Sequence, residues 1–213
     1  INVAQNDVGV DDVVGLAKCL GTCRALELLD LSDNDLAKLT VIPAEWQKLC
    51  DAFSGNRTLT DLNLNNNHLG AQGVRVASKA LLGCTALKRL GFSYNEPGVE
   101  PALADLLRQH PSLISIELVE AIDRHLPSRA KDDIGRALLE NKTKTVGFLH
   151  CDMFVLSEET KSLVWSRDAT TSDAVLLAGV LVTNTVLTTF NIASGAQLAN
   201  SARSSLGEAL LNN

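Results

Sequence analysis

The sequence lacks most of the features that mark membrane, nucleic-acid-binding or catalytic proteins. Its longest apolar run, AVLLAGVLV at 174–182, has nine residues, about half of the roughly 18 that a membrane-spanning helix needs. The formal net charge is −6, and no cluster of lysine or arginine offsets it, so the basic footprint of a nucleic-acid-binding protein is missing. We see no phosphate-binding loop, metal-ligand cluster or catalytic triad. We therefore expect no membrane span, nucleic acid, cofactor or enzymatic activity.

Cysteine is scarce and irregularly spaced. The five cysteines are an odd number, which does not suit a complete disulfide framework. Cys19 and Cys23 are four residues apart, and no Cys-x-x-Cys pair or matching histidine spacing accompanies them. A metal site there is therefore a weakly supported alternative. Cys23 and Cys84 each stand three residues before a repeated leucine, and we expect both to be buried and reduced. Reduced cysteines favour an intracellular, cytoplasmic protein.

The sequence does contain a repeat. LELLDLSDNDL at 26–36 places Leu, Leu, Leu, Asn and Leu at offsets of three, two, three and two, and LTDLNLNNNHL at 59–69 keeps them. LKRLGFSYN at 87–95 follows the same pattern, and INVAQNDV at 1–8 is the tail of another copy. The repeated asparagines are Asn6, Asn34, Asn67 and Asn95. They are separated by 28, 33 and 28 residues, a spacing and signature that indicate a leucine-rich repeat array.

Each repeat predicts a short strand, a turn and a helix. The leucines at the fourth and sixth positions lie on one side of the strand because side chains alternate, so they point into the core. The residues between them point to the opposite, concave side. The asparagine amide can satisfy buried backbone groups, so the asparagines should stack as a structural ladder. Amphipathic segments predict helices packed behind a parallel sheet. These segments are 11–20, 70–84, 98–110, 132–141 and 173–184.

The pattern weakens in the second half of the chain. Ala121 and Phe154 stand where the next two asparagines should be, so we expect the ladder to end at Asn95. The segments 162–165 and 187–192 predict a seventh and an eighth strand, the former in a short, loop-linked repeat.

The long period, the strand–helix alternation and segments such as GNRTLTDLNLNNNHLGAQGV at 55–74 resemble the ribonuclease-inhibitor-like family of leucine-rich repeat proteins. The resemblance is close over 1–118 and looser beyond. It implies an α/β solenoid, a curved horseshoe of about eight strand units with parallel strands on the concave side and helices on the convex side. We expect one domain over 1–213, regular in 1–120 and irregular in 121–213, which is a segment of a longer repeat array.

The predicted concave face is acidic and rich in amides, with a few aromatic anchors. The candidate partner-binding residues are Asp30, Asp33, Asp61, Asn63, Asn65, Tyr94, Glu117, Glu120 and Phe148. Such a face suits a partner protein with a basic surface, because carboxylates steer encounter and aromatic side chains supply contact area. The alternative is that these are ordinary solvated strand residues, with Arg89 paired to Asp61 on the neighbouring strand.

Three functions fit these observations. The leading interpretation is a non-enzymatic protein–protein interaction module that uses the concave face, since members of the family differ mainly in their partners. One alternative is a structural subunit packed inside a large cytoskeletal or ciliary assembly, whose neighbours would cover the ends of the array. The other is a GTPase-activating or other regulatory protein, which would accelerate GTP hydrolysis by a small GTPase.

Two local features have two interpretations each. The glycosylation sequons at Asn56 and Asn141 lie where helices end, where asparagine is a natural cap, so coincidence is the favoured interpretation. Trp46 follows an insertion in the one long period. We expect its side chain to be half-buried, and an exposed anchor for a partner is the alternative.

Overall fold

The computed structural model describes residues 1–8, 10–36, 44–98, 101–120, 125–165, 169–193 and 199–211. The helices in these ranges are α1 Val10–Thr22, α2 Ala44–Gly55, α3 Gly70–Leu81, α4 Pro101–Gln109, α5 Ser128–Glu140, α6 Thr171–Leu181 and α7 Asn200–Leu211. The strands are β1 Leu28–Asp30, β2 Asp61–Asn63, β3 Arg89–Gly91, β4 Ser115–Leu118, β5 Phe148–Cys151, β6 Val155–Leu156, β7 Ser162–Trp165 and β8 Thr189–Ile192. Helices are present at all five predicted segments, whereas α2 and α7 lie outside those segments.

Strands β1 to β5 form one parallel sheet in chain order. The residues aligned across it are Leu29, Leu62, Leu90, Ile116 and Leu149. Each of these side chains is at most 2% exposed, so the leucine column of the sequence is a stacked row in the core. Each helix packs against the next helix along the chain. The predicted α/β fold with a parallel sheet backed by helices is therefore confirmed.

The parallel sheet stops after β5. Strand β6 pairs with β5 in antiparallel fashion, and β7 and β8 form a separate two-stranded parallel sheet. Aromatic packing fills the space beside this break, because the ring of Trp165 lies 6.4 Å from those of Phe154 and Phe190. The predicted strands at 162–165 and 187–192 are present, but the described chain does not contain eight equivalent strand units.

Buried asparagine side chains connect the turns of neighbouring repeats. Asn95 is fully buried, its Nδ2 donates to the carbonyl of Leu64 at 2.7 Å, and its Oδ1 accepts the backbone N–H of Asn67 at 3.0 Å. Asn34 likewise accepts the backbone N–H of Asn6 at 3.1 Å. The predicted ladder is thus present, and it satisfies backbone groups that water cannot reach.

The ladder does not end at Asn95, so that prediction was wrong. Glu120 Oε1 accepts the backbone N–H of Asn95 at 3.2 Å, and Asp152 Oδ1 accepts the backbone N–H of Glu120 at 2.8 Å. A carboxylate offers the same acceptor oxygen as an amide, which explains how the column continues without asparagine. Phe154 packs in the apolar core, and Ala121 lies outside the described residues.

A second buried polar column lies where each helix returns to its strand. Its members are Asn56, His110, Asn141 and Asn184, all at most 5% exposed. The side-chain oxygen of each asparagine, and the Nδ1 atom of His110, accepts backbone N–H groups two or three residues further along. The two sequon asparagines are therefore buried caps. A glycan on either is incompatible with this fold.

Two single-residue predictions were wrong. Cys84 is buried as expected, but Cys23 is exposed. Trp46 is fully buried and its Nε1 donates to the carbonyl of Gly73 at 3.2 Å. It belongs to the contact between α2 and α3 and does not offer a surface anchor.

Replacement of Asn95 by alanine tests the first column. The change removes the acceptor of the buried N–H groups of Asn67 and Leu69, while the carbonyl of Leu64 keeps its bond from the Asn67 amide. We therefore expect a loss of about 3 kcal/mol in the free energy of unfolding, measured by urea denaturation. Asn6→Ala is the matched control. Asn6 is an exposed member of the same column, and its replacement should cost less than about 1 kcal/mol. A loss of less than about 1 kcal/mol in the free energy of unfolding for both variants would show that the column does not stabilise the fold.

Replacement of His110 by asparagine tests the second column through its pH dependence. Burial lowers the pKa of His110 below its ordinary value of 6.5, so the unfolded chain binds more protons than the folded chain below that pH. The stability contributed by neutral His110 is present above pH 6.5 and is lost as the pH falls towards the folded pKa. Asparagine keeps the acceptor and removes the titration. The advantage of wild type over His110→Asn should therefore shrink on acidification, by up to about 1.4 kcal/mol per pH unit. A difference independent of pH would contradict this.

Candidate functional site

The side of β1–β5 that points away from the helices carries exposed and half-buried side chains. We call it the open face. It corresponds to the predicted concave face. Its residues are Leu28, Asp30, Asp61, Asn63, Arg89, Gly91, Ser115, Glu117, Phe148 and His150. Apart from Gly91, none of these residues is buried. Because the inward column is filled by leucine and isoleucine, this alternate row is the part of the sheet that a partner can reach.

Side-chain hydrogen bonds hold the polar residues of the open face in fixed positions. Asn63 Oδ1 accepts the backbone N–H of Asn65 at 3.0 Å, and Asn65 Nδ2 donates to Glu117 Oε2 at 2.8 Å. Asn65 Oδ1 also accepts the backbone N–H of Ser93 at 2.8 Å. Gly91 makes room for both amides, since a Cβ on it would lie 2.7 Å from each Oδ1. The surface is therefore organised before any partner arrives.

Arg89 lies in the middle of this acidic surface. Its Nε is 2.5 Å from Asp61 Oδ1, and its Nη1 is 3.8 Å from Glu158 Oε1. The Asp61 contact is the cross-strand pair that belonged to the alternative interpretation of this surface, and the register places the two residues side by side. The Arg89 side chain remains 56% exposed, so each ion pair contributes no more than about 1 kcal/mol.

Two depressions adjoin Arg89. The first, of about 260 Å³, runs along β1 to β4 and is lined by Leu28, Asp30 and Asp61 among others. The second, of about 460 Å³, lies between β4, β5 and the turn at 157–160 that follows β6. We call the second one the trough. Its lining includes Glu117, Phe148, His150, Val155, Glu158 and Glu159. Carboxylates and apolar side chains thus share the surface beside Arg89.

The structure places most of the predicted site residues together. Asp30, Asp61, Asn63, Glu117 and Phe148 lie on the open face, where the sequence analysis put them. The turns that leave the strands carry the other exposed or half-buried candidates, which are Asp33, Asn65 and Tyr94. Their partner-binding role stays a prediction.

Glu120 does not belong to the open face, and its predicted exposure was wrong. The residue is 5% exposed, and its carboxylate accepts the backbone N–H groups of Asn95 and Glu96, each at 3.2 Å. Burial raises the pKa of the Glu120 carboxyl to about 6, against the opposing effect of these two hydrogen bonds. Glu120 is a structural member of the ladder.

Sequence reasoning also missed the position of His125. Its Nδ1 lies 3.1 Å from Asp152 Oδ2, and the Asp152 side chain is 4% exposed. The two oxygens of Asp152 accept the backbone N–H of Glu120 in the ladder and that of Leu126 in the segment that leads into α5. His125 and Asp152 are 27 residues apart in the chain, and no periodic signal connects them.

Tyr94 has an unusual backbone for an aromatic residue. Its φ is +56°, and the equivalent residues Asp33 and Asn66 have φ values of +54° and +53°. Aspartate and asparagine tolerate this left-handed region, whereas a bulky side chain there costs about 1–3 kcal/mol. Tyr94 is nevertheless 46% exposed, so burial of its ring in the core does not compensate for this strain.

The described residues contain neither a candidate metal site nor a candidate membrane span. No group of three or more His, Cys, Asp or Glu side chains in them is arranged to hold a metal ion. None of the helices in the same ranges is long and apolar enough to cross a membrane.

Comparison with known proteins supports the repeat character at a coarse level. No family model matches the chain. A segment of 92 residues, 43% of this chain, is 35% identical to the human NACHT, LRR and PYD domains-containing protein 13, and it spans only 8% of that protein. This similarity supports leucine-rich repeat character, while the ribonuclease-inhibitor-like assignment stays a prediction.

Two solved structures resemble the chain more remotely. The tropomodulin C-terminal domain of Caenorhabditis elegans gives a TM-score of 0.44 at 14% identity, with 94% of this chain and 92% of that chain covered. Leiomodin-1 actin-binding site 2 gives a TM-score of 0.37 at 13% identity, with 95% and 87% covered. Both likenesses are too distant to support an inference about fold or partner.

Replacement of Tyr94 by asparagine tests the strain at this position. Because asparagine accepts the left-handed backbone, we expect Tyr94→Asn to raise the free energy of unfolding by about 1 kcal/mol. Tyr94→Phe is the control, and it should leave the stability unchanged because the strain remains. Urea denaturation measures both. A destabilised Tyr94→Asn would show that the ring makes stabilising contacts and has a structural role.

Proposed function

We propose that the chain is a non-enzymatic protein-binding module that receives a partner protein with a basic surface on its open face. The observation that carries this proposal is the presence of large exposed apolar side chains inside an acidic surface. Leu28 is 51% exposed and Tyr94 is 46% exposed. Apolar anchors surrounded by polar residues are the usual anatomy of a protein interface.

The charge of the open face supports a basic partner. Five carboxylates line the two depressions, those of Asp30, Asp61, Glu117, Glu158 and Glu159. Among the described lining residues, Arg89 is the only arginine or lysine. This imbalance gives a negative field that attracts a cationic surface and accelerates its association.

The backbone strain at Tyr94 supports a binding role for its ring. Asp33 and Asn66 show that the position suits small polar residues, so the tyrosine is costly for folding. Strained residues persist where function uses them. A tyrosine also offers large contact area with little loss of side-chain freedom on binding.

The internal bonding of the face supports binding without rearrangement. The Asn65–Glu117 and Arg89–Asp61 contacts join side chains across strands β2 to β4. Groups that are fixed before association lose less conformational entropy when a partner binds. The proposal also takes the open face as the concave side of a curved solenoid and the location as intracellular, as the sequence analysis predicted.

Affinity capture from a cell lysate tests the proposal with three baits, which are the wild-type chain and two triple variants. The open-face bait carries Asp30→Lys, Asp61→Lys and Glu117→Lys. The control bait carries the same number of reversals on the helices, Glu45→Lys, Asp51→Lys and Glu140→Lys. Circular dichroism and urea denaturation verify that both are folded. Both baits have the same net charge, so a nonspecific charge effect acts on them equally.

We expect a basic protein that wild type and the control bait retain and that the open-face bait loses by at least about tenfold, with binding that weakens as salt rises. The purified partner then confirms the difference by calorimetry. Equal retention by all three baits, or equal loss from both variants, would contradict a site on the open face.

A further inference from the structure

The trough is an open depression whose sides differ in chemistry. One side consists of Glu117 on β4 and Phe148 on β5, and the opposite side consists of Glu158 and Glu159 in the turn after β6. Val155, which is 45% exposed, adds an apolar surface to the same cavity. A volume of about 460 Å³ is enough for a long side chain and part of the chain that carries it.

The turn that closes the trough is internally bonded. Ser157 Oγ and Thr160 Oγ1 are 2.9 Å apart, and the backbone N–H of Thr160 donates to the carbonyl of Ser157 at 3.1 Å. The Glu158 side chain nevertheless remains 69% exposed. The turn is therefore a fixed support for two glutamates whose carboxylates can receive a cation from outside.

The guanidinium of Arg89 already lies beside the trough. It is held by Asp61 on one side and points towards Glu158 across the trough, with Nη1 3.8 Å from the carboxylate. Because Arg89 is 3.8 Å from the Glu158 carboxylate, another cation can approach that carboxylate more closely than Arg89 does. A salt bridge between exposed side chains is also weak enough to be displaced. Glu159 has no such neighbour described and is free to contribute a second carboxylate.

We infer that the trough binds an arginine side chain of the partner protein, and that Arg89 competes with it for the carboxylate of Glu158. This inference rests on the proposed function. A planar guanidinium can pair with two carboxylates and at the same time stack on an aromatic ring, which an ammonium group does less well. The trough offers both partners, because Phe148 lies in the same cavity as the glutamates.

Titration with short peptides, followed by NMR chemical shifts of the intact chain, tests the inference. The probes are acetyl-Gly-Arg-Gly-amide, its lysine counterpart and its citrulline counterpart, which keeps the shape of arginine without the charge. We expect the arginine peptide to shift amide signals of β4, β5 and residues 155–160, with affinity above that of lysine. The citrulline peptide should cause no saturable shift.

Three variants sharpen the test. The Glu158→Gln/Glu159→Gln double variant should weaken binding of the arginine peptide by about fivefold or more, and Glu45→Gln on α2 should leave it unchanged. Arg89→Gln should strengthen it by about two- to fivefold, because the competitor is removed. This gain of affinity is a readout that damage to the fold would not produce.

The outcomes separate this inference from the proposed function. Equal binding of arginine and citrulline, shifts located elsewhere, or no response to the glutamate changes would overturn the arginine site. If the open-face bait nevertheless loses its partner, the proposed function stands and only the inference fails. If the arginine peptide binds as expected while the open-face bait keeps its partner, the trough recognises arginine and the proposed partner site is wrong.

Discussion

Each turn that leaves a strand of the main sheet brings backbone N–H and C=O groups into an interior that water does not reach. Unpaired groups of this kind would cost about 1–3 kcal/mol each, and several repeats would multiply that cost. The chain meets this constraint with one inward side chain per repeat, asparagine at first and then Glu120 and Asp152. The oxygens of Asn34, Asn95, Glu120 and Asp152 each accept the backbone N–H of the preceding turn, whereas Asn67 Oδ1 has no partner among the described residues. The register of the strands and the position of the open face depend on these hydrogen bonds between neighbouring turns.

The open face is a consequence of this internal bonding. Because the turns are fixed from inside, the outward side chains of successive strands stand in register, as Asp61 beside Arg89 shows. The helices occupy the other side of the sheet, so the acidic row stays accessible. The same turns hold residues such as Tyr94 in the left-handed backbone region. Folding thus determines where an exposed aromatic ring is placed relative to the carboxylates.

The sequence predicted the repeating parts of the structure well. A leucine column and its outward neighbours follow from strand alternation, so the register and the Arg89–Asp61 pair were accessible from spacing alone. Glu120 was misplaced because a carboxylate and an amide can both accept a backbone N–H, and the acceptor stands one residue before the expected position. The hairpin of β5 and β6 was missed because Phe154, which stands where the repeat would have asparagine, packs in the apolar core and changes the turn that follows β5. The contact between Arg89 and Glu158 joins distant segments, and no local pattern reports it.

Amide hydrogen exchange of the intact chain tests most directly the claim that a buried polar column fixes the turns. The backbone N–H groups of Asn67, Asn95 and Glu120 donate to column side chains. We predict that all three exchange only through global unfolding, with opening free energies equal to that from urea denaturation. Exchange of these amides at the rate of exposed turns would contradict the account. It would mean that the turns open while the sheet stays folded.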